Sequence, residues 1–191
     1  MVGDYVPELS RLLATTGANL FLAEYRGYGA STGEPALGKM LDDVAAIFAH
    51  LDLPADRVIA FGRSVGSLFA IELARQQSNI AGLVLESGIA DVHERLRLRV
   101  SPEEIGWTED TFKTEIQQRM DHESTLRNFA GPTLVIHAKH DHLVDVSHAA
   151  RNHARAGPKS TLVVFERGNH NTIFPENQGP YIRHLKRFIT P

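Results

Sequence analysis

Ser64 stands between two glycines in Gly62-Arg63-Ser64-Val65-Gly66, where an apolar run gives way to a helical pattern. A serine hydroxyl is a weak nucleophile unless a base, usually imidazole, takes its proton. The imidazole in turn needs a carboxylate to fix its tautomer and stabilise its charged form. Two later stretches supply both groups. "LVIHAKHDHLVD" sets Asp141 just beyond one apolar run, and "LVVFERGNHNTIF" sets His170 just beyond another. The chain order is therefore serine, acid, histidine, with each group following a run of strand length. Asp145, four residues after Asp141, is the alternative acid. Gly168, two residues before His170, permits a tight approach toward the serine. The chemistry expected of such a set is acyl transfer through a covalent serine intermediate.

Other reactive-looking groups are read more plainly. His137, His140 and His142 surround Asp141 in a pattern that could suggest a metal site. Their spacing does not place them on one helical face, so they are taken as solvated loop histidines and no metal is expected. Arg95, Arg97 and Arg99 form a short basic stretch beside Glu94, read as a solvated face.

The elements that must position these groups alternate between two periods. Leu9, Leu12 and Leu13 mark a first helix, with Pro7 in its first turn and Gly17 as its stop. Asn19–Tyr25 reads as the first strand, followed by the turn-rich loop "GYGASTGEP". Leu37, Met40, Leu41, Val44, Phe48 and Leu51 describe one helix face. Arg57–Gly62 is a second strand, and Leu68, Ile71 and Leu73 belong to the helix after Ser64. Ile80–Ser87, Pro132–Ala138 and Ser160–Glu166 are further strands, with helices at Val146–Ala156 and near Tyr181–Ile189. Continuously apolar strands alternating with helices predict an α/β fold with a parallel sheet covered on both faces.

In that reading, ligands bind outside the carboxyl ends of the strands, which is where Ser64, Asp141 and His170 fall. Strand, turn and helix around Gly-x-Ser-x-Gly are the context of a nucleophile elbow. The segment from Asp91 to about Gly131 interrupts the rhythm and is expected to form a helical cap. Ser101-Pro102-Glu103-Glu104 reads there as a capping box, and Thr108, Phe112, Ile116 and Met120 as a second short helix. Leu96, Leu98, Trp107 and Phe112 are expected to pack that cap onto the sheet.

The 191 residues, 42% hydrophobic, suit one domain spanning 1–191. Lys and Arg number 20 against 23 Asp and Glu, a net charge of −3, so no basic face is available for nucleic acid. The chain has no cysteine, which excludes disulfides, zinc-thiolate sites and a thiol nucleophile. No apolar run reaches bilayer-spanning length, and a soluble, cytoplasmic protein is expected.

"YRGYGASTGEP", "GRSVGS", "HAKHDHLVD" and "GNHN" together resemble the α/β-hydrolase superfamily. The likeness is to small serine hydrolases of the serine-aminopeptidase-like and abhydrolase-domain type, and it covers nearly the whole chain. It implies Ser64 as nucleophile, His170 as base and Asp141 as its orienter, with the Val65 N–H as one oxyanion-hole donor. It implies no cofactor and a small ester or thioester substrate. The alternatives are acyl transfer or peptide cleavage on the same triad, and a catalytically impaired, hydrolase-like binding protein. Ala138 stands where the family commonly has glycine. The chain also opens at the helix after the family's His-Gly oxyanion loop, so an N-terminally shortened hydrolase is expected. Without the family's third strand, Asn19–Tyr25 and Arg57–Gly62 are expected to show bare edges, which favours a homodimer.

Overall fold

A computed structural model describes residues 8–190. Pro7 and the side chain of Leu9 lie outside the described residues. Four parallel strands form one sheet in the order β1 (Ile59–Arg63), β2 (Gly82–Glu86), β3 (Thr133–Ala138) and β4 (Ser160–Phe165). Their register is continuous, with Ile59 opposite Gly82, Leu83 opposite Thr133, and Thr133 opposite Ser160.

The helices are α1 (Glu8–Ala14), α2 (Leu37–Leu51), α3 (Gly66–Gln76), α4 (Val92–Arg97), α5 (Glu109–Arg119), α6 (His122–Asn128), α7 (Ser147–Ala156) and α8 (Ile173–Ile189). The chemistry of the strands explains their places. Every residue of β2 and β3 is buried, as unbroken apolar runs in the middle of a parallel sheet must be. β1 and β4 are the outer strands and each leaves residues exposed, Phe61 among them.

Helices cover both faces. On one, Leu83 and Leu85 meet Ala70, Ile71 and Ala74 of α3 and Leu126 of α6. On the other, Val84, Leu134, Ile136 and Val163 meet Ile173, Tyr181 and Leu185 of α8. α2 lies against α3 through Met40, Leu41, Val44 and Phe69. No described helix is long and apolar enough to cross a membrane.

Three expectations are corrected. Asn19–Tyr25 is not a strand: it belongs to no ladder, and Leu20, Phe21 and Leu22 are exposed. Strand structure requires ladder pairing with a neighbouring strand, and no described strand pairs with this run. β1, too, pairs on one side only among the described residues, with β2. Ser101 does not close a capping box, because its hydroxyl bonds the Glu103 carboxylate rather than a backbone N–H, and Pro102–Ile105 is a 3-10 turn. Finally, Leu98 and Trp107 are exposed rather than packed against the sheet, whereas Phe112 is buried with Leu68, Val92 and Ile116.

The second cap helix forms as its pattern requires: α5 starts at Thr108, whose hydroxyl accepts the Thr111 N–H at 3.1 Å. α6 departs from the role of a cap, since Leu126 and Phe129 are part of the sheet's own core. α8 begins earlier than Tyr181 and bends at Asn177 (φ −130°), where Pro180 removes a helical donor. The Asn177 amide compensates by donating to the carbonyls of Ile173 (2.7 Å) and Arg167 (2.9 Å).

Candidate active site

Ser64 is one of three non-glycine residues with positive φ among the described residues, at +53°. A β-carbon there is strained, and such strain persists only where the surroundings over-determine it. They do so through the Ser64 N–H, which donates to the Glu86 carbonyl at 2.9 Å, and the Ser64 carbonyl, which accepts from the Ser67 hydroxyl at 2.6 Å. Ser67 is buried and its oxygen also accepts the Ile89 N–H at 3.0 Å. The elbow is thus bolted to β2 and to the loop beyond it.

The flanking glycines have separate reasons. A β-carbon on Gly62 would lie 2.6 Å from the Ser67 Cα, inside helix α3. One on Gly66 would lie 2.9 Å from the Tyr25 hydroxyl oxygen. Tyr25 packs there against Phe69 in a tilted ring pair, with centroids 4.7 Å apart, and Arg26 beside it forms a forked pair with Asp43 of α2. The "YRGYG" stretch therefore supports the elbow from below.

Asp141 follows β3 and is buried. One carboxylate oxygen accepts the N–H groups of Leu143 (2.9 Å) and Val144 (2.8 Å); the other bonds His170 Nδ1 at 2.8 Å. Burial opposes ionisation of Asp141, but the His170 and Val144 hydrogen bonds outweigh it and hold the carboxyl at about 2. Asp145 is exposed, accepts the Ser147 N–H at 2.9 Å, and is not the carboxylate that His170 Nδ1 bonds. Of the two candidate acids, the fold brings Asp141 to the imidazole.

His170 lies in the loop between β4 and α8. Gly168 (φ +87°) turns that loop so tightly that a β-carbon would sit 3.0 Å from the Ile173 Cα. Asn169 then caps the turn, its side chain accepting the N–H groups of Asn171 (2.9 Å) and Thr172 (3.2 Å). His170 is buried, and its backbone carbonyl accepts from the guanidinium of Arg63, next in sequence to Ser64. No hydrogen bond joins the Ser64 hydroxyl to His170 among the described residues. Val65 has helical φ and ψ, and its N–H donates to no carbonyl among those residues. A free N–H at the start of a helix is suited to receive developing negative charge.

The histidines around Asp141 differ from one another. His140 and His142 are exposed, as expected of a loop. His137 instead belongs to β3, is fully buried, and bonds the Val144 carbonyl at 2.9 Å from Nε2, which also lies 3.5 Å from Asp141. Burial holds its pKa below the ordinary imidazole value.

Sequence reasoning overlooked Arg63, Glu86 and Tyr181. Arg63 Nε bonds Glu86 at 3.0 Å, and the Tyr181 hydroxyl bonds the other Glu86 oxygen. The available signal was a carboxylate ending an otherwise apolar strand, "IAGLVLES".

Residues 2–128 match the protein family described as serine aminopeptidase, S33. The chain is 29% identical over 176 residues to the alpha/beta hydrolase domain-containing protein aho-3 of Caenorhabditis elegans, covering 90% of this chain and 48% of that protein. It is 27% identical over 176 residues to the human alpha/beta hydrolase domain-containing protein 17B, covering 90% and 56%. The chain thus spans about half the length of the relatives it matches. Among solved structures, a monoacylglycerol lipase of Paleococcus ferrophilus superposes with a TM-score of 0.73 at 15% identity, covering 98% of this chain and 88% of that one. A thermophilic esterase of Thermogutta terrifontis gives 0.63 at 22% identity, covering 88% and 79%.

Proposed function

The chain belongs to the serine aminopeptidase (S33) family, within the α/β-hydrolase superfamily, and from that premise we propose that it is a serine hydrolase cleaving carboxylic esters or thioesters. The observation that carries the reading is the 2.8 Å hydrogen bond from His170 Nδ1 to the buried Asp141, taken together with an elbow serine at φ +53°. The carboxylate keeps the proton on Nδ1, which leaves Nε2 free to act as base.

Ser64 Oγ attacks the acyl carbon as its proton passes to His170 Nε2. The tetrahedral oxyanion takes the Val65 N–H. Collapse breaks the bond to the leaving oxygen or sulfur, which receives the proton from His170. Water then attacks the acyl-Ser64 ester, giving its proton to His170 and releasing the carboxylic acid with the free serine. The two solved neighbours, a monoacylglycerol lipase and an esterase, agree with an ester-type carbonyl. Exposed Val65 and Leu143, next to Ser64 and Asp141 in sequence, suit an apolar acyl chain.

The test is rapid-mixing hydrolysis of p-nitrophenyl acyl esters and matching acyl thioesters. A burst equal to the enzyme concentration is expected, lost entirely in Ser64→Ala. Turnover that survives Ser64→Ala overturns the reading.

A further inference from the structure

The acyl-transfer steps make no use of Arg63, Glu86 or Tyr181, although these side chains join β1, β2, α8 and the loop that carries His170. Glu86 ends β2 and is only 4% exposed. Burial raises its pKa, and a carboxylate in such a place is retained only if its oxygens find partners. One oxygen takes Arg63 Nε at 3.0 Å and the other takes the hydroxyl of Tyr181, itself 1% exposed on α8. The Glu86 carbonyl meanwhile holds the Ser64 N–H.

Charge balance of Glu86 needs only one edge of the guanidinium. Arg63 spends a further nitrogen, Nη2, on two acceptors elsewhere: the carbonyl of His170 and Oδ1 of Asn171, the latter at 3.1 Å. Both acceptors belong to the histidine loop. The Arg63 fork therefore spans from the strand that ends in the nucleophile to the backbone of the base itself. The Asp141 hydrogen bond fixes the imidazole at Nδ1, but neither that bond nor Gly168 ties the loop to β1.

We infer that Arg63 is a positioning residue, a strut that holds the His170 backbone at its working distance from Ser64, with Glu86 and Tyr181 as its anchor. The inference rests on the serine-hydrolase reading above. A planar, multi-donor guanidinium does this and an ammonium does not, because two separate nitrogens, Nε and Nη2, reach Glu86 and the histidine loop at once. Displacing a catalytic base by about 1 Å costs on the order of 10²-fold in rate.

The experiment compares Arg63→Lys, Arg63→Met with Glu86→Gln, and Ser64→Ala in the full chain, with kcat, KM and thermal midpoint measured for each. Arg63→Lys keeps a cation beside Glu86, and the double variant removes both charges together, so at least one folded protein is secured. The expected result for each folded Arg63 variant is a kcat at least about tenfold lower with KM within about twofold, since binding groups are untouched while proton transfer is misaligned. A folded variant with unchanged kcat, whatever its melting point, overturns the strut and leaves an ordinary ion pair. If Ser64→Ala still turns over substrate, the serine-hydrolase reading itself fails. If Ser64 is required and Arg63→Lys runs at the full rate, only the strut fails.

Discussion

Two apolar runs of similar length meet different fates. Gly82–Glu86 becomes β2, buried throughout and hydrogen-bonded on both sides, and it carries Glu86 and the residues that hold the elbow. Residues 19–25 stay outside the sheet, with Leu20, Phe21 and Leu22 exposed. Apolar composition brings a segment within reach of a sheet, but pairing decides whether it becomes a strand. The loops that carry Ser64, Asp141 and His170 all leave paired strands, and the run outside the sheet reaches the elbow only at its end, through Tyr25 against Gly66.

The contrast is sharpest at the acid. Asp141→Asn should cut kcat by about 10³–10⁴-fold, because an amide cannot hold the tautomer that frees Nε2. Asp145→Asn, on an exposed turn, should leave kcat within about twofold, since surface changes that touch no such feature are nearly neutral. Steady-state kinetics on both variants checks the ordering, and a larger effect at Asp145 would reverse it.

Core truncation should come next. Leu85 is fully buried between α3 and α6, so Leu85→Ala should cost about 2–5 kcal/mol in urea unfolding.

Acid should then act on the same paired region. Burial holds the His122 imidazole down to about 4, so the folded chain keeps it neutral where the unfolded chain, near the ordinary 6.5, takes up a proton. Its contribution is complete above about pH 6.5 and is lost as pH falls toward 4, a loss of about 3 kcal/mol at most. Asp141 is held low instead, and its contribution is lost further down, as pH falls from the ordinary carboxylate range through about 2. Urea midpoints measured from pH 7.5 to 4.5 should fall steadily, and less steeply in a His122→Leu variant. A flat profile would remove His122 from the account.

The smallest effect belongs to the unpaired run. Phe21→Ser should change stability by less than about 0.5 kcal/mol, as expected of an exposed side chain. A loss comparable to that of Leu85→Ala would mean that residues 19–25 are covered in solution and that the two runs are alike.

What could be read from the sequence follows the same division. The four sheet strands and most helices were legible because apolar spacing is local, and the elbow was legible because two glycines bracket a serine. Asp141 and His170 could be located because an acid and a base had to follow strands in order. The failure at Asn19–Tyr25 came from treating a pairing property as a property of one segment. The start of α8 was missed because Gly179-Pro180 reads as a helix breaker, while the Asn177 amide repairs the bend. Arg63 and Glu86 lie 23 residues apart, and only the parallel register of β1 against β2, with Arg63 opposite Glu86, brings them together.

The most direct measurement of the central claim is labelling with a fluorophosphonate followed by peptide mass mapping. The account predicts one adduct, on the peptide containing Ser64, absent in Ser64→Ala and slowed in Asp141→Asn. An adduct on a different serine, or none on folded protein that hydrolyses esters, would contradict it.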